Sequence, residues 1–401
     1  MVASIWTCAW LPVVAAATSW TTTAGSSWQS HAPPWKAHTG SIAVALSDGT
    51  VVLAGGQAGE HGGALFDCFE CMSEVWHFDP DSNKWSNHSA EVPWVPRWGH
   101  SMVATLDDTV WMLFGCCEPG KPGEMLRDVW TYNPLHSVPW QKSTAELPAE
   151  GIQGSSVTVV GSELWVVGGW SQHRGTLSLI LALSTDSLKW KLLLKHGIAP
   201  WKHRADHATA ISPDGRWLFL YAGQHRDAKS GHWWRLQDTW RIEISSVADP
   251  SAWLQLSDLN AARSSVPVLM LPSGWLLALG GHFIPDDEEI GSTLPTKEKP
   301  STEAREAIIE HHRKSAWHVH NDVLALNTNN GGINGWQVLE ADAPWPARDD
   351  AAAVYAKDGS LLIFGGGTLY GGGGYLRDVW KLASVASEYN LSEAAKGKTE
   401  L

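Results

Sequence analysis

No stretch of the 401 residues is apolar for long enough to cross a membrane, which takes roughly 20 residues as a helix, so no span is expected. Positive charge is also short. Lysine and arginine total 29 against 42 aspartates and glutamates, a formal net charge of −13, which makes nucleic acid or an anionic membrane surface an unsuitable partner. Six tyrosines and five cysteines are sparse beside 26 tryptophans. No tryptophan follows Trp380, an absence that matters below. What is plentiful is apolar residue (44%) and glycine (38), ample for a sizeable core.

Six tryptophans, Trp28, Trp85, Trp140, Trp190, Trp253 and Trp336, stand at the head of the same local sequence. After each come a polar link, an apolar run, a tight turn, and a second apolar run ending in Gly-Gly or a near relative. The first runs include 41–46, 101–106, 157–160, 208–211, 266–271 and 351–355, and the turns include Asp48-Gly49, Asp214-Gly215 and Asp358-Gly359. Asp-Gly between apolar runs predicts a two-residue hairpin turn. The second runs end at Gly55-Gly56, Gly115-Cys116, Gly168-Gly169, Ala222-Gly223, Gly280-Gly281 and Gly365-Gly366. A third strand follows, as in Asp128-Val129-Trp130, and the fourth carries the repeating Trp. Self-similarity at about 50 residues marks a stacked or radial repeat and argues for one domain.

Four strands per unit with a glycine doublet resemble the Kelch repeat. The fit is close in Pro96-Arg97-Trp98-Gly99-His100, Phe114-Gly115, Asp128-Val129-Trp130 and Trp140, and it extends over about residues 28–384. The resemblance implies an all-β, six-bladed Kelch-type propeller like the galactose oxidase central domain, with four antiparallel strands per blade. It leaves function open, since such propellers serve as binding modules, oxidases, epimerases and specifier proteins. The last unit has no Trp-bearing fourth strand, whereas Trp28 has no unit of its own. The N-terminal strand is therefore expected to complete the last blade and close the ring, leaving no open edge. The propeller is assigned to 21–385, with 1–20 a signal peptide or N-terminal flap and 386–401 a polar tail.

Where Arg introduces the first strand, Asp introduces the third: Arg97 with Asp128, Arg204 with Asp238, Arg263 with Asp322, Arg348 with Asp378. Unit one substitutes Lys36 and Glu74, and unit three has Ile152 and the apolar Leu179-Ile180-Leu181. Each pair is expected to form a charge-assisted bond inside its blade, and joint loss is what a buried charge demands.

The apolar run Ile5–Ala17 with Val14-Ala15-Ala16-Ala17 reads as a secretory leader or as a packed flap, and it carries no Lys or Arg. Asn87-His88-Ser89 and Asn390-Leu391-Ser392 are sequons. A secreted or lumenal location is favoured, with a cytoplasmic one as the alternative. Cys68 and Cys71 in one blade and Cys116 and Cys117 in the next fall on the same face, as disulfides, structural thiols or a four-sulfur zinc site. The excess length of blade five, 283–319, holds an acidic run and a helical stretch. Glu306 and Glu310 lie one turn apart beside His311, either a solvated lid or weak metal candidates.

The links before strand one and the loops after strand two emerge on one side of the ring. That face collects Trp35, Trp98, His100, Trp201, His203, His207, Trp233, Trp234, His282, Asp349 and Asp350, an aromatic, His-dotted composition suited to recognition. The reading favoured is a monomeric binding propeller engaging a protein or glycan through this face, with no cofactor. An epimerase- or oxidase-type sugar enzyme is the alternative, as is a cytosolic scaffold. The copper-radical oxidase variant, which needs Cys joined to Tyr near the axis, is poorly served by six tyrosines and rim cysteines.

Overall fold

A computed structural model describes residues 21–22, 27–58, 70–116, 125–226, 233–258, 261–283, 318–368 and 374–391. Six sheets of four antiparallel strands are arranged as a ring, a six-bladed β-propeller. The innermost strands are Ile42–Ala45, Ser101–Ala104, Ser156–Val160, Ala208–Ile211, Val268–Met270 and Ala352–Tyr355, and each touches its neighbours around the axis. The second strands are buried at every position in Val51–Ala54, Val110–Leu113 and Leu361–Phe364 and at all but the first in Glu163–Val167, Trp217–Tyr221 and Trp275–Leu279, as expected of strands covered by blades on both sides.

Ring closure follows the expectation from the tryptophan count. Trp28–His31 pairs antiparallel with Val379–Leu382, Trp28 opposite Leu382, and Thr21–Thr22 adds a fifth strand outside it. Trp28 is 1% exposed, and its indole N–H donates to Glu340 Oε2 of blade five at 3.1 Å. The Tyr389 hydroxyl donates to the same oxygen at 2.6 Å. The polar tail expected from 386 therefore starts later. Val385–Glu388 forms a helical turn, and Val385 and Leu391 are buried against blades five and six.

The core lies between blades, and the repeating tryptophans fill it. Trp85 is 1% exposed and packs edge-on to Trp35 and Phe364. Truncating such a residue to alanine costs about 3–5 kcal/mol. The inner hairpin turn of blade three is the two-residue one expected, with Val160 paired to Glu163 across Gly161-Ser162, whereas that of blade one is a three-residue loop. Leu46 N–H bonds to Thr50 O and Gly49 N–H to Leu46 O, which puts Gly49 alone at positive φ.

Two one-residue readings of the repeat are corrected by the backbone. The doublet of blade two is Phe114-Gly115, not Gly115-Cys116. Phe114 at φ 59° and Gly115 at φ 103° match Gly55 and Gly56 at 65° and 103°. A bulky residue in that region costs about 1–2 kcal/mol, offset by complete burial and stacking on Trp190 at 5.9 Å. In blade one the arginine slot belongs to His38, not Lys36. The second doublet glycine of each blade donates to the carbonyl of this slot in the next blade, as Gly56 does to Arg97 and Gly366 to His38. Lys36 is exposed, and His38 is buried edge-on to Trp35 at 4.3 Å.

Candidate functional site

In four blades the arginine slot is filled by a fully buried guanidinium gripping its aspartate with two parallel bonds. Arg97 reaches Asp128 at 2.8 and 2.8 Å, Arg204 reaches Asp238 at 2.8 and 2.7 Å, Arg263 reaches Asp322 at 2.8 and 3.1 Å, and Arg348 reaches Asp378 at 2.8 and 2.8 Å. Burial pushes the Asp128 and Asp238 carboxyls up, but the guanidinium bonds and charge override it and hold both below the usual range. Each of these arginines also donates to a backbone carbonyl of its own blade, such as Phe114 O or Gly365 O. These pairs are internal to the blades and present nothing to a ligand. Ile152, 2% exposed, fills the slot in blade three, opposite buried Leu179.

Several residues expected on the binding face serve the same architecture. Trp35 and Trp201 are each 2% exposed. Trp201 lies under Arg204 at 5.7 Å, as Trp94 and Trp345 lie under Arg97 and Arg348. A tryptophan three residues before the slot is thus a repeat feature that seals blades. His100 and His207 are buried too, their rings packed against the bare Cα of Gly55 and Gly168 in the preceding blade. Burial, with Arg97 nearby, lowers His100 to about 3, and burial with Arg204 holds His207 far below its ordinary value, so both are neutral. His203 sits apart, its ring 4.5 Å from His196 and 5.9 Å from His225.

The remaining candidates converge on a channel of about 690 Å³ lined by the six innermost strands. Two residues beyond each arginine slot the chain turns through positive φ: Gly40, Gly99, Gly154, Asp206, Ser265 and Asp350, at 65°, 61°, 60°, 50°, 55° and 47°. These six positions circle the channel mouth and are joined by backbone bonds, Gly154 N–H to Gly99 O, Asp206 to Gly154, Ser265 to Asp206, Asp350 to Ser265 and Gly40 to Asp350, at 2.8–3.1 Å. Left-handed backbone favours glycine. Blades one to three obey that rule, whereas blades four to six carry Asp, Ser and Asp.

Around those three residues lies a charged network. Asp349, 3% exposed, places Oδ2 3.0 Å from His282 Nδ1, and His282 Nε2 receives the Arg235 guanidinium at 2.8 and 3.0 Å. An arginine can only donate, so Nε2 is unprotonated and the ring proton sits on Nδ1, the nitrogen nearest Asp349. Burial and the Arg235 charge hold His282 well below its ordinary value, in keeping with that tautomer. Ser264 Oγ approaches the same Nε2 at 3.3 Å. Gln224, paired with Arg235 across a small ribbon over blade four, donates its amide to Asp206 Oδ2.

Burial pushes all three carboxyls up. Asp349 is raised to about 7, Asp206 is raised, and Asp350 is raised well above its usual value by burial and by the charges of Asp349 and Asp206. Arg235 is the cation that draws all three back down. Asp206 and Asp350 keep some exposure toward the channel and are packed on every other side. A carboxyl poised near neutrality beside an oriented imidazole can exchange a proton, and a carboxylate-rich mouth can bind a cation.

Trp98 is half-buried at the blade-two edge of the mouth, and Trp233 lies half-buried beneath Arg226 at 5.7 Å. Trp234 is 42% exposed on the ribbon that delivers Arg235. Sequence reasoning singled out Asp349, Asp350 and His282 but missed Asp206 and Arg235. Asp206 had a signal, a non-glycine at the position where three other repeats carry glycine. Arg235 stands three residues before Asp238, the place that Met125, Thr176, Val319 and Tyr375 take before Asp128, Leu179, Asp322 and Asp378, so its signal too was a charge where the other repeats carry none.

Cys71 is disulfide-bonded, while Cys116, expected among the bridged cysteines, is a buried thiol. Its backbone bridges Trp98 and Met125, which fixes it in a ribbon. Cys68 and Cys117 lie outside the described residues, as do the N-terminal leader and Glu306, Glu310 and His311. Among the described residues no helix is long and apolar enough to cross a membrane, and no group of three or more His, Cys, Asp or Glu is placed to hold a metal ion.

Kelch-like protein 25 of Xenopus tropicalis is 24% identical over 203 residues, 47% of this chain and 31% of that protein. Acyl-CoA-binding domain-containing protein 4 of Arabidopsis thaliana is 26% identical over 244 residues, 60% of this chain and 34% of that protein. The chain thus matches about a third of the length of these curated relatives. The family model of the KLHDC2/KLHL20/DRC7 Kelch-repeats domain matches residues 40–265, more than half of the chain, and with six four-stranded blades in a ring the protein belongs to the Kelch-repeat family.

Proposed function

We propose that this propeller is a recognition module that binds a protein ligand at the channel mouth, on the side of blades four to six. The observation that carries the reading is the buried cluster of Asp206, Asp349 and Asp350 around one arginine, on the face where loops, ribbons and Trp234 gather. A fold does not keep partly uncompensated carboxylates in its interior for stability alone, since desolvation costs several kcal/mol per ion. Kelch propellers commonly bind proteins, and the match to Kelch-like protein 25 supports the same class here.

The test is selection of a random displayed peptide library on the purified chain, with Trp98→Ala and Asp350→Asn as counter-selections. Sequences enriched on the native protein and lost on either variant support the reading. Enrichment indifferent to both variants overturns it.

A second reading has one observation in its favour. Asp349, raised to about 7 and 3.0 Å from a histidine of fixed tautomer, is suited to acid–base work on a sugar. A sugar whose anomeric or epimeric protons exchange with deuterated solvent only in the presence of the native chain would favour it over pure binding.

The disulfide at Cys71 supports an oxidising, secreted or lumenal compartment. Expression in secretory eukaryotic cells tests this. Recovery from the medium with Asn87 glycosylated agrees with it, and retention with Cys71 reduced overturns it.

A further inference from the structure

The six left-handed positions at the mouth divide it into unlike halves. Gly40, Gly99 and Gly154 leave blades one to three bare, and a Cβ on Gly40 would have nothing nearer than Trp98 at 3.9 Å. Asp206, Ser265 and Asp350 take the same backbone turn at a steric cost, and Gly154 leaves the room that Asp206 Oδ1 occupies. Strain in non-glycine residues kept on one side of an axial opening marks that side as the working one. The ionisable groups there are three carboxyls, which burial raises and an incoming cation would draw back into the charged form, and one guanidinium, with His282 neutral.

A second observation comes from blade one. Thr39 is 8% exposed, and its hydroxyl has no hydrogen-bond partner. It lies 3.4 Å from the place a Cβ on Gly367 would take, and Asp349 Oδ1 lies 2.8 Å from that same place. A buried hydroxyl and a buried carboxylate oxygen thus come together where Gly367 has no side chain, and the Asp349 carboxylate takes the room that a Cβ would need. An unpartnered buried hydroxyl is unfavourable, and a donor arriving from outside removes that penalty. The carboxylates are not placed to surround one metal ion. Their spread across Asp206, Asp350 and Asp349 instead fits a cation whose N–H donors point in several directions.

We propose that this half of the mouth receives an organic cation, an ammonium or guanidinium group carried by the protein ligand, held by Asp206, Asp349 and Asp350 with the Thr39 hydroxyl beside them. The assignment rests on the recognition reading above and names its chemistry. The group enters from the channel side, where Asp206 and Asp350 keep their exposure, and Trp98 borders the entry. Arg235 offsets one of the three carboxyls.

The experiment titrates the full chain calorimetrically with three peptides: acetylated with one lysine, acetylated with one arginine, and unblocked at the N-terminus with no basic side chain. Their neutral counterparts carry acetyl-lysine, citrulline and an acetylated terminus. Binding of at least one charged peptide about tenfold or more tighter than its counterpart is expected, with loss of that preference in Asp350→Asn. Asp206→Asn is the second variant should the first not fold. The peptide that discriminates identifies the source of the cation. Equal binding of charged and neutral partners, or a preference that survives both substitutions, overturns the proposal. If peptides bind the mouth without regard to charge and are lost in Trp98→Ala, recognition stands and the cation site falls. If no peptide binds, both fall.

Discussion

Blades three and four share a strand plan and differ in what they bury at the two template positions that matter. Blade three has Ile152 in the arginine slot and Gly154 at the mouth, and blade four has Arg204 and Asp206. The slot tolerates either an ion pair or apolar residues because neither leaves a buried charge without its partner. The mouth is different: Asp206 gains no such internal closure and stands next to two further carboxylates. The slot is therefore a matter of architecture and the mouth a matter of ligand, although only two residues separate them in each repeat.

Six substitutions would break or sharpen this comparison. The largest effect is expected from Arg97→Ile, which leaves Asp128 buried without its partner, at a cost of about 3–5 kcal/mol in denaturant unfolding. Adding Asp128→Leu, to copy blade three, should restore most of that loss; no recovery would mean that blade three is not an equivalent solution. Next is Gly154→Ala, whose Cβ would collide with Asp206 in an already unfavourable backbone region. About 2 kcal/mol is expected, against roughly 1 kcal/mol for Gly40→Ala, where space is open.

Asp350→Asn should raise stability at pH 8, by about 1–2 kcal/mol. The sign follows from the raised carboxyls. Between the ordinary value near 4 and about 7 the folded state holds protons that the unfolded state has released, so the native cluster is most favourable in acid and loses stability as pH rises. The advantage of the variant should therefore shrink from pH 8 toward pH 4, and a constant difference would argue against charge as its origin. Buried neutral histidines act in the opposite sense. His38 and His100, lowered to about 4 and 3, favour the unfolded state increasingly below pH 6.5. The smallest effect is that of Trp234→Ala, expected within about 0.5 kcal/mol in stability, with ligand affinity reduced.

The fold was legible because the repeats testify to one another. Six tryptophans, four Arg–Asp couples and an unmatched Trp28 lead to the same ring. The working site was legible only in part, since it lies where the repeats disagree. Reading it needed a register correct to one residue, and Lys36 for His38 or Gly115-Cys116 for Phe114-Gly115 shows how a polar neighbour or a glycine draws the alignment aside. Trp35, Trp201, His100 and His207 looked like rim residues because loops near an axis are rich in polar sequence. The tight approach of adjacent blades, visible only in three dimensions, buries them. The role of Arg235 could not be read from its repeat position, since it depends on a ribbon reaching across to His282 of blade five.

The pairing of Trp28–His31 with Val379–Leu382 also sets a timetable. At a synthesis rate of about 5–20 residues per second, the strand around Trp28 waits on the order of 20–70 s for its partner to leave the ribosome. Five blades can form in that interval, but the sixth cannot, and the orphaned strand must be shielded from pairing elsewhere. Biogenesis of this protein is therefore expected to depend on chaperones that hold an early segment until a late one arrives. Destabilising changes near Trp28 should lower cellular yield more than they lower the stability of whatever molecules complete the circle.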